Sequence, residues 1–259
     1  SPMTATAPAD GAAGGRTPSR QRRRRQYLPP QHGAWAMLLL PYLVALVTAG
    51  ATWAQIPLLI AWLSGYLLSY YAFLAVKTRR ISRVRPQLRL YAAIAVPAGV
   101  LTVALCPRTL WFAPAYAGLL AINAWYAWHH DDRALANDLA SVIQGCLMIP
   151  VAALVAGVSP VTVLEPFGVV LLYFVGTVLF VKTMIRERGD NRFLRGSIGY
   201  HAAAVVAAGL LAWLWAILFG WFLVRAAWLP RFSMTPKQVG FVEIGNCVAL
   251  LALVAVVAG

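Results

Sequence analysis

Apolar residues run in long blocks along this chain, broken by short polar and mainly basic stretches. The blocks fall at about 34–50, 56–76, 90–106, 110–128, 139–157, 161–182, 201–228 and 240–258. Most approach the ~20 residues a helix needs to cross a ~30 Å hydrocarbon core. Lipid offers the backbone no hydrogen bonds, so spanning segments must be helices or a closed barrel. No block shows the sustained alternation of barrel strands. The pattern predicts an all-α fold, a multi-pass transmembrane helical bundle. The 201–228 block fits one long tilted helix or a tight hairpin of two short ones.

Charge placement chooses between those two. Cytoplasmic loops gather Lys and Arg near the span ends. The basic groups are Arg16, Arg20 and 22–25; Lys77, Arg79, Arg80, Arg83, Arg85 and Arg89; and Lys182, Arg186, Arg188, Arg192 and Arg195. With the N-terminus inside, all are cytoplasmic and only Arg108 lies outside. Arg225, Arg231 and Lys237 join the inner side only if 201–228 is a hairpin. The expectation is therefore nine spans over 32–259 in the plasma (inner) membrane, with the N-terminus cytoplasmic and the C-terminus outside. Residues 1–31, rich in Ala, Gly, Pro and Arg, are expected to be a disordered basic tail, because such composition cannot bury a core. Arg24 to Leu28 echoes a twin-arginine export signal, but the later spans favour a first span with a basic flank.

Composition agrees with this class: 61% of residues are hydrophobic and 12% charged, against roughly 25% charged in soluble domains. The net charge of +14 is accounted for by topology and by attraction to anionic lipid headgroups. It calls for no nucleic-acid partner. Cys106, Cys146 and Cys247 have no metal-ligand spacing and read as apolar packing residues.

Five of the eight acidic residues lie in two loops expected on the same face: Asp131, Asp132 and Asp138, then Glu187 and Asp190. Carboxylates near a bilayer are expensive, so their grouping marks a candidate site. Three segments carry its polar chemistry. Gln31 and His32 stand where the first span opens, near the free amides of a helix N-terminus, a natural anion site; Gln31 reads equally as a cap. His129 to Asp138 offers His and Asp ligands for a metal, or a solvated loop, with Asn137 and Asp138 opening the fifth span. Lys182, Arg186 and Asp190 would share a face if the sixth helix continues past Lys182, with Glu187 beside them; a salt-bridged helix end is the alternative. Gly189 is expected to end that helix. His201 is placed at the start of the seventh span. With His32, His129, His130 and His201 the only histidines, none mid-span, no haem is expected. The interior reads as nearly free of ionisable groups, which argues against an ion-coupled pump.

Gln31-His32-Gly33-Ala34-Trp35-Ala36-Met37, followed by Leu38, Leu39, Leu40 and Pro41, resembles the opening of the YwiC-like family of bacterial membrane proteins. Leu172 to Thr177, running on to Arg188, resembles that family's other strong block; Pro236 to Gly240 with Glu243 resembles its C-terminal one. A more distant likeness is to the UbiA-type intramembrane prenyltransferases, carried by His32 to Pro41, by Asn137 with Gly145 and Pro150, and by Arg186, Glu187 and Asp190 with Gly196. That resemblance implies about nine helices and a cytoplasmic site for an isoprenoid or other lipid (di)phosphate. In it Gln31, His32, Lys77, Arg79, Arg80, Asn137, Lys182, Arg186, Arg188 and His201 would bind substrate. Asp138, Glu187 and Asp190 would be catalytic, and Glu187 and Asp190 would hold Mg²⁺. The chain departs from the pattern where the first Asp-rich motif belongs: 70–80 holds no carboxylate. Lys77, Arg79 and Arg80 there can contact phosphate oxygens directly. The alternative is a non-catalytic protein that binds or moves lipid or helps assemble a respiratory complex.

Overall fold

The structure, a computed structural model, describes residues 27–29 and 32–259. The chain divides into two units, Ser1–Pro30 and Gln31–Gly259. The expectation of a disordered tail falls almost wholly outside the described residues, as does Gln31.

The second unit is all-α. Among its described residues are nine α-helices: α1 His32–Ala49, α2 Gln55–Thr78, α3 Arg85–Leu105, α4 Ala113–Trp128, α5 Leu135–Val155, α6 Leu164–Met184, α7 Asn191–Leu211, α8 Trp213–Trp228 and α9 Pro236–Ala258. Seven helices are long and apolar enough to cross a membrane. The molecule is a multi-pass helical membrane protein.

Burial ranks the helices. The apolar window of α5 is 61% buried and that of α3 only 11%. The α5 helix is thus the central element, flanked by α1, α4 and α6, while α3 packs on α2 at the periphery. The main core joins α1, α5, α6, α7, α8 and α9 through Val44, Val142, Ile149, Tyr173, Ala208, Phe222 and Leu250. The α1 and α5 backbones approach closely at Gly145, where a Cβ would lie 3.2 Å from the Met37 carbonyl oxygen.

Local chemistry sets the helix ends. Pro236 at the first position and a reciprocal Thr235–Gln238 capping box open α9, which satisfies two otherwise orphaned amides. The Asp190 carboxylate accepts from Arg192 N and Phe193 N at 2.9 and 3.2 Å and opens α7. That cap starts α7 ten residues before the apolar block, at Asn191 rather than 201. The hairpin expected within 201–228 is present. Its turn is the single extended residue Ala212 (φ −160°, ψ 142°).

The connections gather at two ends. At one, the wholly buried Gln55 ties three segments. Its Nε2 donates to Gly50 O and Ala152 O at 3.1 and 3.0 Å, and its Oε1 accepts from Thr52 N at 2.8 Å. Gln55→Leu would strand these backbone groups, and each buried group left unpaired costs about 1–3 kcal/mol. The expected result is a lowered midpoint of thermal unfolding in detergent, and Gln55→Glu should be no milder, since its carboxylate keeps the bond from Thr52 N but offers no donor to the Gly50 and Ala152 carbonyls.

Candidate functional site

At the opposite, basic end, α2 and α4 finish in matching caps. Arg79 and His130 both take left-handed backbone, each with φ 55°. Arg80 N reaches Ala75 O, and Asp131 N reaches Tyr126 O. These are the six-to-one bonds of a Schellman motif. Non-glycine residues are strained there, and Arg79 gains a compensating contact. Its guanidinium lies 4.1 Å above the Trp128 ring, with Nη2 donating to Trp128 O at 3.5 Å.

The left-handed turn at His130 throws 131–134 across the bundle end, where two lysines take hold of it. From α2, Lys77 Nζ contacts both Asp132 oxygens at 3.0 and 3.1 Å. From α6, Lys182 Nζ meets Asp138 Oδ2 at 3.0 Å and donates to Arg133 O at 2.7 Å. Asn137 Nδ2 donates to Asp132 O at 2.8 Å, and Asn137 Oδ1 accepts from Asn123 at 2.7 Å. Asn123 continues inward to Gln144. Lys77, Asp132, Asn137, Asp138 and Lys182 thus converge on one seven-residue stretch of chain. Burial raises the Asp132 carboxyl, but the Lys77 ammonium, a backbone amide and Arg133 outweigh it and hold the group below its ordinary value.

Other expected residues do not join them as foreseen. The α6 helix stops at Met184, and Ile185 to Asp190 form turns with Gly189 at φ +87°. The shared helical face of Lys182, Arg186 and Asp190 is therefore absent. Nothing apolar remains past Ile185 to bury a further turn, and Lys182 is drawn inward. Arg186 and Arg188 are exposed in that turn beside half-buried Glu187. Asp190, expected with Glu187 to bind metal, caps α7. Among the described residues no three His, Cys, Asp or Glu side chains group as a metal site. His129 stacks on Trp125, with its Nδ1 bonded to Trp125 O at 2.7 Å. Arg80 is exposed and His32 opens α1.

A second polar cluster overturns the expectation of an interior nearly free of ionisable groups. Arg225, counted only as an inner-side charge, is wholly buried within α8. Its Nη1 donates to both Glu243 oxygens, at 2.8 and 3.1 Å. That carboxylate also accepts from Tyr173 at 2.7 Å, Thr177 at 3.1 Å and Asn246 at 3.4 Å. Arg225 Nη2 lies 3.0 Å from His201 Nε2, while His201 Nδ1 lies 2.7 Å from Ser197 O. With Nδ1–H donating to Ser197 O, Nε2 is the acceptor and the ring is neutral. His201 is mid-helix, not at the start of a span, because α7 begins at Asn191. The rings of Phe180, Phe222 and Tyr173 surround the guanidinium at 4.6, 5.1 and 5.9 Å. Arg225 Nε finds no acceptor among the described residues. A charged pair here is tolerable because it is neutral overall and richly hydrogen-bonded. The one sequence signal was that apolar residues continue past Arg225 to Trp228.

The family described as YwiC-like protein matches residues 28–153. An uncharacterized Bacillus subtilis (strain 168) protein, YwiC, is 31% identical over 235 residues, covering 87% of this chain and 95% of the relative. An uncharacterized protein of Haemophilus influenzae (strain ATCC 51907 / DSM 11121 / KW20 / Rd) is 31% identical over 219 residues, covering 82% and 90%. No solved structure matches significantly. Identity at this level across nearly the whole length of both relatives makes the chain a member of the YwiC-like family.

Proposed function

We propose that this protein sits in the bacterial cytoplasmic membrane with its basic end inside, and there binds the phosphate or diphosphate head of an isoprenoid or other anionic lipid. The observation that carries the reading is the pair of lysine–aspartate contacts, Lys77–Asp132 and Lys182–Asp138, on one short stretch of chain. Partly exposed Lys77 is a ready donor to phosphate oxygens, and exposed Arg80, Arg186 and Arg188 add attraction for anionic lipid. The lipid tail would lie along the apolar helices. The finer reading is a UbiA-like group transfer, with Asp138 near the reacting head and developing diphosphate charge stabilised electrostatically.

A second reading is non-catalytic lipid binding or transport, or respiratory-complex assembly. It is favoured by the occupation of both aspartates by lysines, which leaves neither as a free base. The test is native mass spectrometry of gently extracted protein. A phosphate-bearing isoprenoid or other phospholipid retained by the wild type and lost from Lys182→Ala supports head-group binding. Only bulk phospholipid, unchanged by that substitution, sinks it. Turnover of the retained lipid with an added acceptor, lost in Asp138→Asn, separates transferase from binding protein.

A further inference from the structure

We propose that the four charges at the basic end form an exchange site for a diphosphate, in which Lys77 and Lys182 pass from their aspartates to the ligand without a bridging metal ion. The inference rests on the reading of that end as a phosphate-binding face. Lys77 comes from α2 and Lys182 from α6, so the two ammonium groups approach 131–138 from separate helices. Asp132 and Asp138 lie close enough for their charges to interact. The quartet is neutral overall, with anionic and cationic members paired one to one.

Three observations favour exchange over a static clasp. First, the Lys77–Asp132 contact stays open to solvent, with side chains 36% and 41% exposed, while in the second pair Asp138 is 34% exposed and Lys182 only 10%. The exposed pair is held by little free energy and reorganises easily, so Lys77 is the member that moves and Lys182 meets the ligand from a fixed position. Second, Lys182 keeps its position through a contact besides its carboxylate, donating to the Arg133 carbonyl at 2.7 Å. Each ammonium has three donors, so a ligand oxygen can be taken on while the lysine remains oriented. Third, the stretch that carries the aspartates is otherwise anchored. The Asp132 carbonyl is fixed by Asn137, so loss of the lysine does not free the loop.

A divalent cation would need open carboxylate oxygens and near-octahedral geometry. Here both candidate carboxylates already face ammonium groups. Two lysines that reach one stretch of chain from separate helices suit a ligand with two linked anionic groups better than a single orthophosphate. The aspartates then act against the ligand. They hold the lysines in place while the site is empty and repel the diphosphate as it arrives. Neutralising an aspartate should therefore tighten binding, the reverse of what a metal-bridged site requires.

The experiment titrates full-length protein in detergent with inorganic diphosphate, orthophosphate and a prenyl diphosphate, each in EDTA and in excess Mg²⁺, by calorimetry. In EDTA, Asp132→Asn and Asp138→Asn should each tighten diphosphate binding by about three- to tenfold, the scale of one unscreened charge at a partly exposed site. Lys77→Gln and Lys182→Gln should each weaken it by about tenfold or more, and orthophosphate should bind more weakly than diphosphate. Circular dichroism of each variant guards against misfolding. Binding that needs Mg²⁺, or that weakens in either Asp→Asn variant, overturns the exchange while the phosphate-binding reading stands. Equal affinity for orthophosphate and diphosphate overturns the two-lysine span. No binding of any probe by the wild type overturns both. Tighter binding of prenyl than of inorganic diphosphate, with the same response to the substitutions, identifies the source as a lipid head; equal binding identifies the free ion.

Discussion

Arg225→Met, made with Glu243 left in place, is expected to destabilise the bundle by about 3–5 kcal/mol, the scale for stranding one member of a buried ion pair. The carboxylate would keep Tyr173, Thr177 and Asn246 as donors but lose both Nη1 contacts. His201 Nε2 would lose its donor in the same step. Four helices feel the change, since these groups come from α6, α7, α8 and α9. The double variant Arg225→Met/Glu243→Met removes both charges and fills similar volume, so it should recover much of the loss. Thermal unfolding of the purified variants in detergent, arranged as a double-mutant cycle, measures both effects. Equal loss in the single and double variants would mean that the pair's charge is not what matters.

Gly176→Ala is the second large expected loss, from a change of one methyl group. A Cβ there would lie 2.9 Å from His201 Nε2 and 3.3 Å from Tyr200 Cε1. Neither ring can retreat freely. His201 is held on both sides by Ser197 and Arg225, and Tyr200 donates to Leu172 O at 2.8 Å. Overpacking of this kind costs about 1–3 kcal/mol, with the added loss of the Arg225–His201 contact. His201→Ala should relieve the clash, so the double variant with Gly176→Ala should be less destabilised than the two single effects added. Additivity would show that the glycine matters for some reason other than this approach.

These two positions also show what the sequence could and could not convey. Apolar blocks announce a membrane bundle because lipid forces each span to be long, helical and uncharged. They announced the hairpin as well, through the charges that follow it. They located α7 poorly, because Asn191 to Gly199 is polar enough to read as loop while the Asp190 cap makes it helix. Lys77, Asn137, Asp138 and Lys182 were each legible as polar residues at span ends. That two lysines would meet two aspartates was not, since the pairings cross 55 and 44 positions of chain between different helices. The face expected along Lys182, Arg186 and Asp190 failed because spacing was extended beyond the last residue that burial could support. Arg225 was counted only as an inner-side charge, because a lone arginine near the end of an apolar run reads as a flanking charge until its partner is known. That partner lies one helix away, and nothing in local periodicity links them.

The two shortest helices carry a consequence for the surrounding bilayer. Both α4 and α8 have 16 residues, about 24 Å at 1.5 Å per residue, against a hydrocarbon layer of about 30 Å. Exposed tryptophans flank each: Trp111 and Trp128 for α4, Trp213 and Trp228 for α8. Indole rings settle at the headgroup level, so these four mark where α4 and α8 meet the two interfaces. Each helix is prolonged by a 3₁₀ segment, Pro107–Phe112 before α4 and Leu229–Arg231 after α8, which makes up much of the difference in length. The depth of these two helices in the bilayer is therefore set jointly by their tryptophans and by the 3₁₀ turns that extend them.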